Sequence, residues 1–255
     1  MCPFRHGLII ISLWDVVEDL ASTKEITIVN KYCFTSRSMK GVIFDMDGVL
    51  VDSMPDHYQA WKTVFKEMAN IDVDERSIYL LEGMRGSELV KKVLEQKRVR
   101  DYSIADKLNK EKNEIFKKIR RFISFDGVNE LIISLKCSKA VVSGSARKDV
   151  EAMLDEAFGK QYFDVIITAD DIEEGKPDPS PFLIALQKMG LKPSEAVVVE
   201  NAPLGVEAAN KAGIQCIVTL NTTQLEISDF KDLISEDRIF PDTKSAASFL
   251  ENWCQ

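Results

Sequence analysis

The chain has 255 residues, 45% of them hydrophobic and 29% charged, the balance of an ordinary soluble globular protein long enough to bury its apolar surface without staples. Its formal net charge of −8 argues against non-specific binding to nucleic acid or to an anionic membrane, and no run of about 18 apolar residues offers a transmembrane helix. Five cysteines without a Cys-x-x-Cys pair read as scattered thiols, not as a disulfide framework or a zinc site.

Residues 1–38 are charge-neutral and fit no clear pattern. Their apolar stretch, Leu8–Trp14, is seven residues long and lacks a small-residue cleavage site, so it makes a poor signal peptide. Met39 stands directly before the first strand-like run. Translation is therefore expected to begin there, leaving a 217-residue protein; the alternative is a genuine extension that packs as an extra helix and strand.

Five short Val- and Ile-rich runs follow: Gly41–Phe44, Ala140–Val142, Val165–Thr168, Ala196–Val199 and Cys216–Leu220. Runs of this length without polar alternation suit strands buried on both faces, as in a parallel sheet. Helical stretches with ordinary punctuation lie between them. One runs from about Arg147 to Phe158 with Ser145 as a candidate cap. A second starts at Pro179 and Pro181 and stops at Gly190; a third starts near Pro203 and stops at Gly213. Strand and helix in alternation predict a doubly wound α/β domain.

Residues 53–121 differ. Pro55 can open a helix on which Tyr58, Trp61, Phe65 and Met68 recur at helical spacing. Leu80, Leu81, Leu89, Val90 and Val93 continue the pattern around a break at Gly83–Gly86, and Leu108, Ile115, Phe116 and Ile119 form a further stripe. The same segment carries 16 Lys and Arg against 12 Asp and Glu, whereas 39–52 and 122–255 together carry 13 against 25. Composition and periodicity change together, which predicts an all-helical insert at 53–121 within a sheet domain made of 39–52 and 122–255.

Parallel sheets present ligands at the carboxyl ends of their strands. The first predicted strand ends in Asp45-Met46-Asp47-Gly48 and the second in Ser143-Gly144-Ser145. Gly175-Lys176-Pro177-Asp178 follows the third, and the fourth ends in Glu200-Asn201. The fifth tip, Leu220-Asn221-Thr222, is less informative. Two carboxylates, a hydroxyl pair with a glycine amide, an ammonium and a carboxylate–carboxamide pair suit phosphoryl transfer. Ser143, the Gly144 amide and Lys176 can hold phosphate oxygens. Asp45, Glu200 and Asn201 offer the oxygen ligands that a hard cation such as Mg²⁺ prefers. With the phosphate charge neutralised, one carboxylate can attack phosphorus, while a second protonates the leaving oxygen and then activates water. Each fragment is common alone; their order along one α/β pattern carries the reading.

These residues resemble a known family. FDMDGVLVDS at 44–53, VVSGS at 141–145, GKPDPSPF at 175–182 and VVVENAPLGVEAANKAG at 197–213 are similar to the four motifs of the haloacid dehalogenase superfamily, its phosphatase and beta-phosphoglucomutase branch above all. The resemblance covers residues 40–220. It implies a Rossmann-like core with a helical cap inserted after the first strand. It also implies Asp45 as nucleophile, Asp47 as general acid and base with a backbone carbonyl on the metal, Ser143 and Lys176 as phosphate clamp, and Glu200 and Asn201 in the metal motif. That last motif usually carries two acids. Asn201 is expected to ligate Mg²⁺ without contributing charge, and so to weaken metal binding.

His57, Trp61 and the pair Lys112-Asn113 resemble cap and hinge positions of beta-phosphoglucomutase, although His57 suits an exposed helix surface equally and Trp61 suits core packing. Arg85, in the Gly83–Gly86 break, is the candidate for recognising the polar end of the substrate. The expectation is a Mg²⁺-dependent cytoplasmic phosphatase, monomeric or weakly dimeric, that acts on a small phosphorylated metabolite and has no nucleic-acid or membrane partner. The alternatives are a phosphosugar mutase using the same aspartyl phosphate, and a degenerate non-catalytic binding module.

Overall fold

The computed structural model describes residues 39–221 and 223–254. The expectations for residues 1–38 lie outside the described residues.

Six parallel strands form one sheet in the order β3-β2-β1-β4-β5-β6. They are β1 (Gly41–Asp45), β2 (Ser138–Val142), β3 (Val165–Ile167), β4 (Ala196–Glu200), β5 (Gln215–Thr219) and β6 (Ile239–Phe240). β1, buried at every position, lies between β2 and β4, with Phe44 opposite Val141 and Val199. The chain winds outward from β1 through β2 and β3, then returns to β4 on the other side. That reversal opens a crevice at the carboxyl ends of β1 and β4.

Alternate strand residues face opposite layers. Val42, Phe44, Val141, Val197, Val199 and Ile217 share one core with α5 (Val128–Ser134), α6 (Arg147–Ala157) and α9 (Thr243–Trp253). Ile43, Ala140, Val142, Val198 and Val218 share the other with α7 (Ser180–Met189) and α8 (Pro203–Lys211). Between β1 and β2 run α1 (Met54–Ala69), α2 (Glu75–Tyr79), α3 (Gly86–Gln96) and α4 (Ala105–Ile119). They hold a core of their own, built from Trp61, Val64, Phe65, Ile78, Leu89, Val93 and Leu108. The Arg121 guanidinium and backbone amide both reach the Asp56 carboxylate, joining the two chain crossings between this layer and the sheet.

Two sequence expectations are corrected. Ser145 does not cap α6. The cap position is Ala146, and the free amide of Arg147 donates instead to Asp170 Oδ2 at 2.9 Å, from the segment after β3. Nor are the described cysteines all scattered thiols: Cys137 and Cys254 form a disulfide, which ties the residue before β2 to the end of α9. Their 117-residue separation carries no local spacing signal. Cys216 is the one free cysteine among the described residues.

Candidate active site

Asp45 ends β1 and Glu200 ends β4, so the register of adjacent strands sets their carboxylates side by side. Lys176, from the loop before α7, is 3% exposed and sits between them. Its Nζ donates to Asp45 Oδ1 and, at 2.6 Å, to Glu200 Oε1. Those two anions more than offset the burial that opposes its charge, and they hold the ammonium above the usual lysine range. Burial pushes the Asp45 carboxyl up; Lys176 opposes this, while Glu200 and Asp47 reinforce it.

Asp47 lies two residues on, within the turn out of β1. Ser53 donates to its Oδ1, and His57 Nε2 lies 3.2 Å from the same oxygen. Ser143, at the β2 tip, donates to Oδ2 at 3.3 Å. Burial alone would raise the Asp47 carboxyl, but His57, Ser53 and Lys112 together bring it below the usual value. His57 is buried, stacks on Phe116 and meets Lys112 Nζ at 2.7 Å through Nδ1. The surface-histidine alternative therefore fails. Burial and the neighbouring Lys112 hold the imidazole below its ordinary value, and burial lowers Lys112 itself to about 8.

Two glycines permit close approach. Gly205, in the first turn of α8, lies so near Glu200 that a Cβ there would meet Oε1 at 1.9 Å. Gly48 has φ +77, and a Cβ on it would meet Asn201 Nδ2 at 2.0 Å. Asn201 is fully buried. Its Nδ2 donates to both carboxylate oxygens of Glu82 at 3.0 Å, while its Oδ1 is buried without a partner.

Glu82 was not anticipated from the sequence. It precedes the Gly83–Gly86 break in the helical layer, where one acid after Leu80-Leu81 was the available signal. Burial, Asp45 and Glu200 push its carboxyl well up, against the Asn201 hydrogen bond. The break itself packs on the sheet: Lys176 N donates to the Gly83 carbonyl at 3.1 Å.

A cavity of about 250 Å³ opens beside Asp45 and Asp47. His57, Trp61, Arg85, Lys112 and Asn113 line it from the helical layer, and Gly144, Ser145, Asp149 and Asp170 from the sheet. Trp61 also belongs to the helical core, so packing and lining coincide. Arg85 borders the cavity, but its Nη1 donates to the Glu173 carbonyl of the loop that carries Lys176. Asp45, Asp47, Ser143, Lys176, Glu200 and Asn201 converge at the strand tips as their order along the chain suggested.

A Rossmann-like sheet with a helical layer after its first strand and acids at adjacent tips defines a class of hydrolases, and comparison with known proteins agrees. The model of the family described as haloacid dehalogenase-like hydrolase matches residues 42–219, and the chain belongs to that family. It is 31% identical over 186 residues to the fructose-1-phosphate phosphatase YqaB of Escherichia coli, covering 69% of this chain and 94% of the relative. To a phosphorylated carbohydrates phosphatase of Thermotoga maritima it is 29% identical, covering 70% and 84%. Among solved structures, a putative beta-phosphoglucomutase from Bacteroides vulgatus superposes with a TM-score of 0.77 at 32% identity, covering 86% of this chain and 90% of that one. No helix among the described residues is long and apolar enough to cross a membrane.

Proposed function

We propose that the protein is a phosphatase that hydrolyses small phosphorylated metabolites, sugar phosphates first among them, through an aspartyl phosphate on Asp45 with Mg²⁺ as cofactor. The observation that carries this reading is the buried Lys176 bridging Asp45 and Glu200, with Asp47 two residues on and a cavity beside both aspartates. The phosphatase relatives named above support it.

The donor set suits a hard cation. Among the described residues no cluster of three His, Cys, Asp or Glu side chains is poised to hold a metal. Mg²⁺, however, keeps several waters and needs few protein oxygens. The unpartnered, buried Asn201 Oδ1 is one such oxygen, and Asp45, Glu200 and the Asp47 backbone carbonyl would supply the others. When bound, the ion neutralises phosphate charge as the nucleophile approaches.

The protein side chains then divide the work. Lys176 and Ser143 hold phosphate oxygens. An Asp45 carboxylate oxygen forms a bond to phosphorus as the bond to the leaving oxygen breaks, and Asp47 gives that oxygen its proton. Water next attacks phosphorus, Asp47 takes a proton from it, and the bond to Asp45 breaks to release phosphate. His57, Ser53 and Lys112 hold Asp47 ionised, the form that activates water; the proton for the leaving oxygen reaches it along the Lys112–His57–Asp47 contacts. Residues 53–121 serve as a cap that excludes water and selects the substrate.

A second reading, a phosphosugar mutase, is favoured by the beta-phosphoglucomutase-like neighbour and by the His57–Lys112 contact. Phosphate release from a panel of sugar, polyol and acid phosphates separates the two. The phosphatase reading predicts stoichiometric free phosphate without a bisphosphate primer. Primer-dependent interconversion with little phosphate released would replace it by the mutase.

A further inference from the structure

We propose that Asn221 and Thr243 are positioning residues for the Asp45–Asp47 loop, acting through the carbonyls of Gly48 and Val49. The inference rests on the catalytic reading of that loop given above.

After Asp45 the chain turns on itself. Leu50 and Val51 donate their amides to the Met46 carbonyl, and Gly48 donates to the Val51 carbonyl at 2.9 Å. These bonds close the turn from within and do not use the Gly48 and Val49 carbonyls, although both residues are buried. A buried carbonyl needs a donor. Asn221 Nδ2 supplies one to Gly48 O at 2.7 Å, and Thr243 Oγ1 supplies one to Val49 O at 3.1 Å.

The two donors are locked to each other. Asn221 Nδ2 also donates to Thr243 Oγ1 at 3.1 Å, and the Thr243 amide donates to Asn221 Oδ1 at 2.9 Å. Every side-chain donor of the pair thus has a use, in one closed ring that includes the loop. The anchor points are firm. Asn221 sits at the β5 tip with its amide on the Pro241 carbonyl, and fully buried Thr243 opens α9. Asn221 has φ +45, a left-handed conformation that asparagine tolerates far better than branched residues do. The fifth strand tip, the less informative one as sequence, therefore holds the turn that follows the first strand.

Gly48 lies between Asp47 and Asn201. If its carbonyl loses its donor, both the acid–base group and the metal motif shift relative to Asp45. Such misplacement lowers turnover more than substrate binding.

The test compares Thr243→Val, which removes the hydroxyl at constant shape, with Thr243→Ser, which keeps it. Asn221→Gly removes the amide but retains the left-handed backbone. Each variant is assayed with p-nitrophenyl phosphate, its thermal midpoint is recorded, and amide exchange is followed across residues 46–51. The expectation for Thr243→Val and Asn221→Gly is a kcat lower by about 10- to 100-fold, on the scale of an ångström's misplacement, with KM within about twofold. Exchange in 46–51 should accelerate, and Thr243→Ser should stay near wild type in both readouts. Equal behaviour of Thr243→Val and Thr243→Ser, or a loss of thermal stability with kcat and loop exchange unchanged, would overturn the proposal. A wild type that releases no phosphate would defeat the phosphatase reading instead. Loop exchange then decides this one, unchanged protection in Thr243→Val and Asn221→Gly counting against it.

Discussion

Asn201 shows how one residue changes meaning when its neighbours are known. By motif alone it stands where an acid is usual, and an aspartate there should strengthen Mg²⁺ binding. In the fold its amide donates to the Glu82 carboxyl of the helical layer at 3.0 Å. An aspartate at 201 would remove the amide hydrogens that the Glu82 oxygens accept and bury a second carboxyl beside Glu82. Asn201→Asp is therefore expected to destabilise the protein by about 1–3 kcal/mol, and Glu82→Gln in the same chain to recover most of that. A denaturant-unfolding double-mutant cycle measures the coupling; additive effects would refute the pairing. Asp45, Asp47, Ser143 and Glu200 were legible because each ends, or closely follows, a buried strand, and Lys176 because it sits in the Gly175–Asp178 run of the loop after β3. Glu82 was not, because its partner lies 119 residues away and nothing periodic marks it.

At the scale of elements, strands β1 to β5 and the three helices α6, α7 and α8 could be read from apolar runs and from Pro and Gly punctuation. β6 could not: two residues give no pattern, and it exists because Val218 and Thr219 offer an edge to Ile239 and Phe240. The cap of α6 was misassigned for a related reason. Ser145 is the local candidate, but its amide turns back to Ser143 Oγ, and a carboxylate from beyond β3 reaches the helix first. The junction of β4 and α8 depends on a missing side chain. Gly205→Ala would drive a methyl into Glu200, so the helix must move or Glu200 must leave Lys176. Overpacking of this kind costs about 1–3 kcal/mol. The variant should melt lower and lose phosphatase activity together; a wild-type melting point with full activity would show that the first turn of α8 does not hold Glu200.

For the molecule as a whole, the net charge of −8 conceals an uneven interior. Among the described residues five carboxyls are buried, Asp45, Asp47, Asp56, Glu82 and Glu200, against two lysines, Lys112 and Lys176, so the positive charge an anionic substrate needs is local. The Cys137–Cys254 disulfide works at the same scale, closing much of the sheet domain into one covalent loop. Its contribution should be about 2–4 kcal/mol, acting mainly on the unfolded chain. Cys254→Ser should therefore unfold at lower temperature than the oxidised wild type and match it under dithiothreitol; equal melting without reductant would mean that the bond adds nothing. The decisive chemistry lies at one atom, a carboxylate oxygen of Asp45. Rapid acid quench of the enzyme during turnover of a sugar phosphate with Mg²⁺, followed by peptide mass spectrometry, should find a phosphoryl group on Asp45, and none in Asp45→Asn, which should also release no phosphate. Steady phosphate release by Asp45→Asn, or a phosphoryl group trapped on another residue, would contradict the account.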